Sequence, residues 1–324
     1  MSSLWSQLVA DATTTLRDAG VPNPDIDALE LASYVSGVSR GELHARIITG
    51  TAVATVDQHD GYAQAVQRRV TREPLQHITA HAPFRDLELR VGPGVFVPRP
   101  ETEYVVEVAL GEVRNVAHGS SELTVVDLCT GSGAIALALA HELPQAHVWA
   151  VELDQAAAQW ARQNIADQPE SIRSRITLVR GDARTALQEL DGRCDLVVSN
   201  PPYIPPDAVP REQEVRDYDP PIALYGLGPD GLEVPRGIST AAVRLLRPAG
   251  VFVMEHAEVQ AGAVRTMLDG TIWSDIRTAA DLTGRDRMVV ARRRDADVQS
   301  LQTTTSDCAA ETAAESRVEQ GMES

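Results

Sequence analysis

The run Cys194-Asp195-Leu196-Val197-Val198-Ser199 passes directly into Asn200-Pro201-Pro202-Tyr203, and that junction restricts the fold more than any other stretch. A short apolar run bounded by turn residues reads as a buried strand. Two successive prolines carry no N–H and cannot continue a ladder, so the chain leaves its sheet at Asn200. An amide, stiff backbone carbonyls and an aromatic ring are thereby fixed at a strand's carboxyl end, where open α/β sheets bind ligands. The Asn200 side-chain oxygen and the Pro201 carbonyl can accept both hydrogens of a planar amide or amino group, while Tyr203 stacks on that group's face. An ordinary strand-ending turn would carry the same Asn-Pro pair, so the flanking sequence has to decide.

Downstream of Leu123 strand and helix patterns alternate. Strands are expected at Leu123–Leu128, His147–Val151 and Ile176–Val179, with helices at Ala134–Glu142 and Gln155–Asn164 and a short one near Thr185–Glu189. After the strand that ends at Ser199 come a helix over Gly231–Leu246, a strand at Val251–Met254, a helix at Ala261–Leu268 and strands at Thr271–Arg277 and Met288–Arg292. Such alternation implies a parallel sheet covered by helices on both faces. The last two strands are only about ten residues apart around Gly284, too close for a helical crossover, and should pair antiparallel at one edge.

Residues 1–72 read as a small helical domain, with Asp25 and Asp27 as candidate caps of a second helix, Ser39 opening a third, and Val56–Val70 as a fourth. Residues 73–100 change to period two around Pro83, Gly92 and Gly94, as in a hairpin linker. The linker ends in Phe96-Val97-Pro98-Arg99-Pro100-Glu101-Thr102-Glu103, where Thr102 is a candidate helix cap. Residues 101–294 form the α/β domain. Residues 295–324 are poor in hydrophobic residues and rich in Ser, Thr, Ala and Glu, and read as a disordered acidic tail.

The net charge of −17 across 324 residues argues against direct binding to nucleic acid, whose partners usually carry a basic footprint. No apolar run reaches membrane-spanning length. Three dispersed cysteines, Cys129, Cys194 and Cys308, give neither a disulfide framework nor metal-ligand spacing and fit a reducing cytoplasm.

The first strand of the α/β domain runs into Asp127-Leu128-Cys129-Thr130-Gly131-Ser132-Gly133-Ala134. Glycines at this turn let a ligand approach the backbone at a helix N-terminus. Glu152 follows at the end of the second strand, suited to a ribose diol. The same spacing satisfies the dinucleotide fingerprint. Asp127, however, would repel a pyrophosphate and suits a cofactor bearing an ammonium and a sulfonium, which favours S-adenosyl-L-methionine. Gly181-Asp182-Ala183 follows the third strand, where Asp182 is either an acceptor for an adenine amino group or a plain helix cap.

With these residues in view, the chain resembles the protein-(glutamine-N5) methyltransferases that act on class 1 peptide chain release factors. The match rests on Arg72 to Ile78, Phe96 to Glu103, Asp127 to Ala136, Asn200 to Tyr203 and the loop and helix from Pro220 to Ile238. The resemblance implies a Rossmann-like class I S-adenosylmethionine-dependent methyltransferase sheet, mostly parallel with an antiparallel terminal hairpin, preceded by a small helical N-terminal domain that docks substrate. It implies cofactor contacts at Asp127, Cys129, Thr130, Gly131, Ser132, Gly133, Glu152, Asp182, Ala183 and Asn200. Substrate contacts fall on Phe96, Arg99, Asn200, Pro201, Pro202 and Tyr203, of which Asn200, Pro201 and Tyr203 carry the chemistry. The expected partner is a class 1 release factor, methylated on the glutamine of its Gly-Gly-Gln loop by a cytoplasmic monomer without metal, general base or membrane attachment. Cys129 departs from the glycine usual in that family, Glu152 from Asp, and Ala183 from a larger residue. A ribosomal-protein glutamine, a nucleic-acid amino group and a non-enzymatic cofactor-sensing module are the competing readings.

Overall fold

The computed structural model describes residues 3–116 and 122–295; apart from Asp295, the expected acidic tail, with Cys308, lies outside the described residues. The chain divides into two compact units, one formed by the residues up to Pro98 with Asp207–Leu224, the other by Arg99–Pro206 with the residues from Tyr225 on. Residues 207–224 therefore group with the first unit, although they stand inside the 101–294 span. No described helix is long and apolar enough to cross a membrane.

The first unit is built from helices α1 (Trp5–Asp18), α2 (Pro24–Ser36), α3 (Arg40–Ile48), α4 (Val56–Val70) and α5 (Leu75–Thr79). Ser39 caps α3, accepting from the Glu42 N–H at 3.3 Å, and Thr55 with Gln58 forms a capping box on α4. Asp27 is not a cap. Asn23 precedes α2 and Pro24 opens it, its fixed φ suiting the first helical position, so Asp27 falls inside the first turn and faces inward. Trp5, Leu16, Leu31, Leu43, Tyr62 and Ile78 form the core; the Trp5 and Tyr62 rings meet edge-on at 5.3 Å, and the Tyr62 hydroxyl donates to the Ala28 carbonyl at 3.0 Å. The linker hairpin is shorter than its alternation suggested: strands His81–Phe84 and Leu87–Arg90 pair, and the chain past Arg90 is irregular. Pro93 and Pro98 cannot extend a ladder, yet Val91, Val95 and Val97 still pack inward.

The second unit is organised on a seven-stranded sheet of β1 (Leu123–Leu128), β2 (Ala146–Glu152), β3 (Ile176–Arg180), β4 (Cys194–Ser199), β5 (Leu246–Glu255), β6 (Trp273–Ala280) and β7 (Asp286–Arg293). Its order is β6-β7-β5-β4-β1-β2-β3. The neighbours from β5 through β3 run parallel, whereas β7 is antiparallel to both β5 and β6. That is the expected methyltransferase sheet, terminal antiparallel pair included. Helices α6 (Pro100–Val116), α7 (Ala134–Glu142), α8 (Gln155–Ala166), α9 (Glu233–Leu245) and α10 (Ala261–Met267) accompany it. Every residue of β4 is buried, as a central parallel strand covered on both faces requires. Each fully buried Val or Leu there contributes about 1.5–3 kcal/mol. The short helix expected near Thr185–Glu189 is a single 3₁₀ turn at Gln188–Leu190.

Candidate active site

The strand order reverses at β1: the chain moves outward through β2 and β3, then returns to place β4 on the other side. A crevice at the carboxyl ends of the strands is expected at such a switch point. Leu128 is in register with Ser199 on one side and Val151 on the other, Glu152 with Arg180, and Ser199 with Met254. The turn after Leu128, Glu152, Gly181-Asp182, Asn200 and Glu255 therefore emerge along one edge of the sheet, with neighbouring strands about 4.8 Å apart.

The glycine turn follows β1 with positive φ at Cys129 (65°), Gly131 (58°) and Gly133 (87°). Asp127 is wholly enclosed and holds this turn from within. Its Oδ2 accepts from the Thr130 hydroxyl and from the Ala136 N–H at 3.1 Å, while Oδ1 has no hydrogen-bond partner among the described residues. Burial raises the Asp127 carboxyl to about 7, against the pull of those two hydrogen bonds and with a further push from the Glu152 charge. The Ser132 carbonyl accepts from the Asn164 amide at 2.9 Å. Glu152, nearly buried, accepts from the Gly131 and Asp154 N–H groups, each at 2.8 Å; burial raises its pKa although these bonds oppose the shift.

Asp182 is gripped by Arg184, whose backbone N–H (3.0 Å), Nε (2.9 Å) and Nη2 (2.7 Å) all donate to it, and this pairing holds its carboxyl below the usual range. The Arg184 stem lies on Gly237 of α9 so closely that a Cβ there would stand 2.6 Å from Arg184 Cδ. Ala183 is buried beside it.

Around Asn200 the hydrogen bonds form a chain. Asn200 Nδ2 donates to Thr102 Oγ1 at 3.2 Å, Thr102 Oγ1 donates to Glu255 Oε2 at 2.8 Å, and the Tyr203 hydroxyl donates to Glu255 Oε1 at 3.3 Å. Thr102 is thus no helix cap; it sits within the first turn of α6, its N–H on the Arg99 carbonyl at 3.0 Å and its hydroxyl turned to β5. Burial pushes Glu255 up to about 7, the Thr102 hydrogen bond and the Arg287 charge opposing; burial and the Glu255 charge likewise raise the Tyr203 phenol. Pro201 is buried and Pro202 partly so. The backbone that follows is clasped by a second segment. Gly226 N–H donates to the Ile204 carbonyl at 3.1 Å, and the Gln260 amide donates to the Tyr203 carbonyl at 2.8 Å and the Asp230 carbonyl at 3.1 Å. A Cβ on Gly226 would stand 2.6 Å from the Pro202 carbonyl oxygen, and one on Gly231 would stand 2.4 Å from that of Tyr203. Phe96 belongs to the first unit, half-buried between Val95 and Val97, and Arg99 opens the second.

A carboxylate-lined glycine turn beside an oriented asparagine suits a cationic cofactor next to a planar nitrogen. Comparison with known proteins gives the family. A model of the PrmC N-terminal domain matches residues 7–79, and a methyltransferase-domain model matches residues 125–213. The release factor glutamine methyltransferase of Streptomyces coelicolor is 52% identical over 287 residues, 88% of this chain and 96% of that protein. The Bifidobacterium longum release factor glutamine methyltransferase is 42% identical over 89% of this chain and 99% of its own length. The chain belongs to the release factor glutamine methyltransferase family. A further relative, 38% identical over 82% of this chain and 87% of its own, is the 4-amino-L-phenylalanine/4-methylamino-L-phenylalanine methyltransferase of Streptomyces pristinaespiralis.

Glu255 and Gln260, which the sequence did not single out, hold the Asn200 loop together with Thr102, which it offered only as a helix cap. A signal for Glu255 existed, since it follows the apolar run Val251–Met254 at a strand's carboxyl end as Asn200 follows Val197 and Val198. Its neighbours, 52 and 153 residues away in the chain, are brought to it by the register of β4 against β5 for Tyr203 and by the packing of α6 on β5 for Thr102.

Proposed function

We propose that this chain transfers a methyl group from S-adenosylmethionine to the side-chain amide nitrogen (N5) of the glutamine in the Gly-Gly-Gln loop of a class 1 release factor. The single observation that carries the reading is the orientation of Asn200. Its Nδ2 is engaged by Thr102, which leaves Oδ1 as the atom that can accept from a substrate. S-adenosylmethionine, when bound, supplies an electrophilic methyl on a sulfonium and leaves as S-adenosylhomocysteine. The residues suit it: Asp127, enclosed behind the glycine turn, places negative charge near an ammonium and a sulfonium, while Glu152 can take a ribose diol and Asp182 an adenine amino group, and three carboxylates would repel a pyrophosphate.

Asn200 Oδ1 and the Pro201 carbonyl accept the two amide hydrogens, and Tyr203 covers the face of the carboxamide. An amide nitrogen is a poor nucleophile because its lone pair is delocalised. Acceptors fixed on its N–H bonds favour the charge that develops as it attacks, and holding it near contact in line with the methyl removes several kcal/mol of the barrier. As the N–C bond forms and the S–methyl bond breaks, the nitrogen gives up one of its two protons to water. In this reading the first unit docks the release factor, and the chain works as a cytoplasmic monomer on protein, not on nucleic acid. The test is a labelled-methyl assay offering release factor, ribosomal protein, RNA and 4-amino-L-phenylalanine in parallel. Label confined to release factor is expected; label on another substrate and none on release factor overturns the reading.

A further inference from the structure

Glu255 is enclosed at the end of β5, and no hydrogen on its carboxylate is needed to explain its bonds: it accepts from the hydroxyls of Thr102 and Tyr203. Thr102 has one hydroxyl hydrogen, and that hydrogen is committed to Glu255. Toward Asn200 the same oxygen can only accept, so the amide edge it selects is the NH2 edge. A flipped Asn200 would set two acceptors against each other across 3.2 Å. The Tyr203 ring is tethered by the other carboxylate oxygen.

We propose that Glu255, acting through Thr102 and Tyr203, is the positioning residue that fixes which way the Asn200 amide and the Tyr203 ring present themselves to the substrate. The inference rests on the proposed role of Asn200 for its catalytic consequence, but the orientation itself is measurable without turnover. Three charged or titratable groups bear on Glu255: Glu101 from α6, Tyr203 from the loop after β4, and Arg287 from β7, which Asp281 engages at 3.2 Å. Protonation of Glu255 would add a donor beside Thr102 and release its hydroxyl, so the lock is expected to loosen as pH falls through about 7.

Thr102→Val keeps the shape and removes the hydroxyl, Thr102→Ser keeps the hydroxyl, and Glu255→Gln replaces one acceptor with a donor. The first readout is hydrogen exchange of the Asn200 side-chain amide by NMR. In Thr102→Val and Glu255→Gln it is expected to be about tenfold faster or more, the cost of one lost hydrogen bond of about 1.4 kcal/mol; Thr102→Ser stays near wild type. The second is turnover of a Gly-Gly-Gln release factor. There kcat falls about a hundredfold in Thr102→Val and Glu255→Gln, with cofactor Kd unchanged, no further loss in the double variant, and no acid limb near pH 7 in Glu255→Gln. Unchanged Asn200 exchange in folded variants overturns the proposal, as does loss of kcat that tracks loss of cofactor binding or is shared by Thr102→Ser. A wild-type chain that leaves release factor unmethylated sinks the proposed function and leaves the exchange result to stand alone.

Discussion

Arg69, in the last turn of α4, and Glu214, 145 residues further along, are joined by an ion pair at 2.8 Å inside the first unit. Arg69 also reaches Asp27 at 2.7 Å, and Arg72 holds Glu214 through Nε at 2.8 Å and through Nη2. Burial raises both acids, but Glu214 has two guanidinium groups on it and is held at about 2, whereas Asp27, with one, ends above its usual value. These ion pairs, with the Tyr218 hydroxyl donating to the Thr71 carbonyl at 3.2 Å, fasten the Asp207–Leu224 segment, the chain's excursion after the Asn200 loop, to the helices.

Removing that charge should be costly. Glu214→Gln leaves Arg72 without its carboxylate in a nearly buried position, and breaking such a pair costs about 3 kcal/mol, read as a lower urea midpoint with unchanged slope. The pH dependence has a definite sign. A carboxyl depressed from 4.5 to about 2 stabilises the fold above pH 4.5, and that stabilisation is lost as pH falls toward 2; Glu214→Gln should flatten the stability curve in that window.

The clasp on the Asn200 loop can be probed through glycine. In Gly226→Ala the added methyl meets the Pro202 and Gly231 carbonyl oxygens, at 2.6 and 1.9 Å, and backbone atoms cannot rotate away. The loop must shift, and a displacement of about 1 Å at a reacting centre costs about a hundredfold in kcat, with cofactor affinity retained. Gly262→Ala is the control, since nothing lies within 4 Å of its added carbon and alanine favours a helix by about 1 kcal/mol. Equal kcat in the two variants would remove the clasp from the account.

Cys129 holds a left-handed φ of 65°, which costs a residue with a Cβ about 1–2 kcal/mol. Cys129→Gly should fold and bind cofactor as the wild type does. Cys129→Val adds β-branching at a position where it is a severe outlier and should lower the melting temperature by several degrees; a valine variant as stable as the glycine one would contradict the assigned turn.

Cofactor binding should depend on pH through Asp127. Burial holds that carboxyl near 7, and a cationic ligand prefers it ionised, so affinity is expected to rise from pH 6 to pH 8 by calorimetry and to level off above. Asp127→Asn should abolish the dependence along with most of the affinity. A flat profile in the wild type would mean that Asp127 serves only the turn.

The sheet was legible because its apolar runs and intervening helices obey their own periods, and the proline pair after Asn200 marked where the chain had to leave it. The terminal antiparallel pair followed from the short connection around Gly284. Long-range choices were not legible. Asp27 reads as a cap by position but serves Arg69, 42 residues away. Thr102 reads as a cap yet serves Glu255. The five-residue helix Leu75–Thr79 is too short to display a 3.6-residue period beside the hairpin. Gly231 lay in a stretch that carried the resemblance, but its physical reason, close approach to the Tyr203 carbonyl, belongs to the folded chain alone, as does that of Gly226 against the Pro202 carbonyl.

In the proposed reaction Asn200 holds a flat carboxamide beside a sulfonium. Tandem mass spectrometry of the Gly-Gly-Gln peptide from a release factor incubated with enzyme and S-adenosylmethionine tests this most directly. One added methyl on the glutamine side chain, absent with Asn200→Ala although that variant still binds cofactor, is the predicted result; an unmodified glutamine with wild-type enzyme, or a methyl that persists with Asn200→Ala, contradicts it.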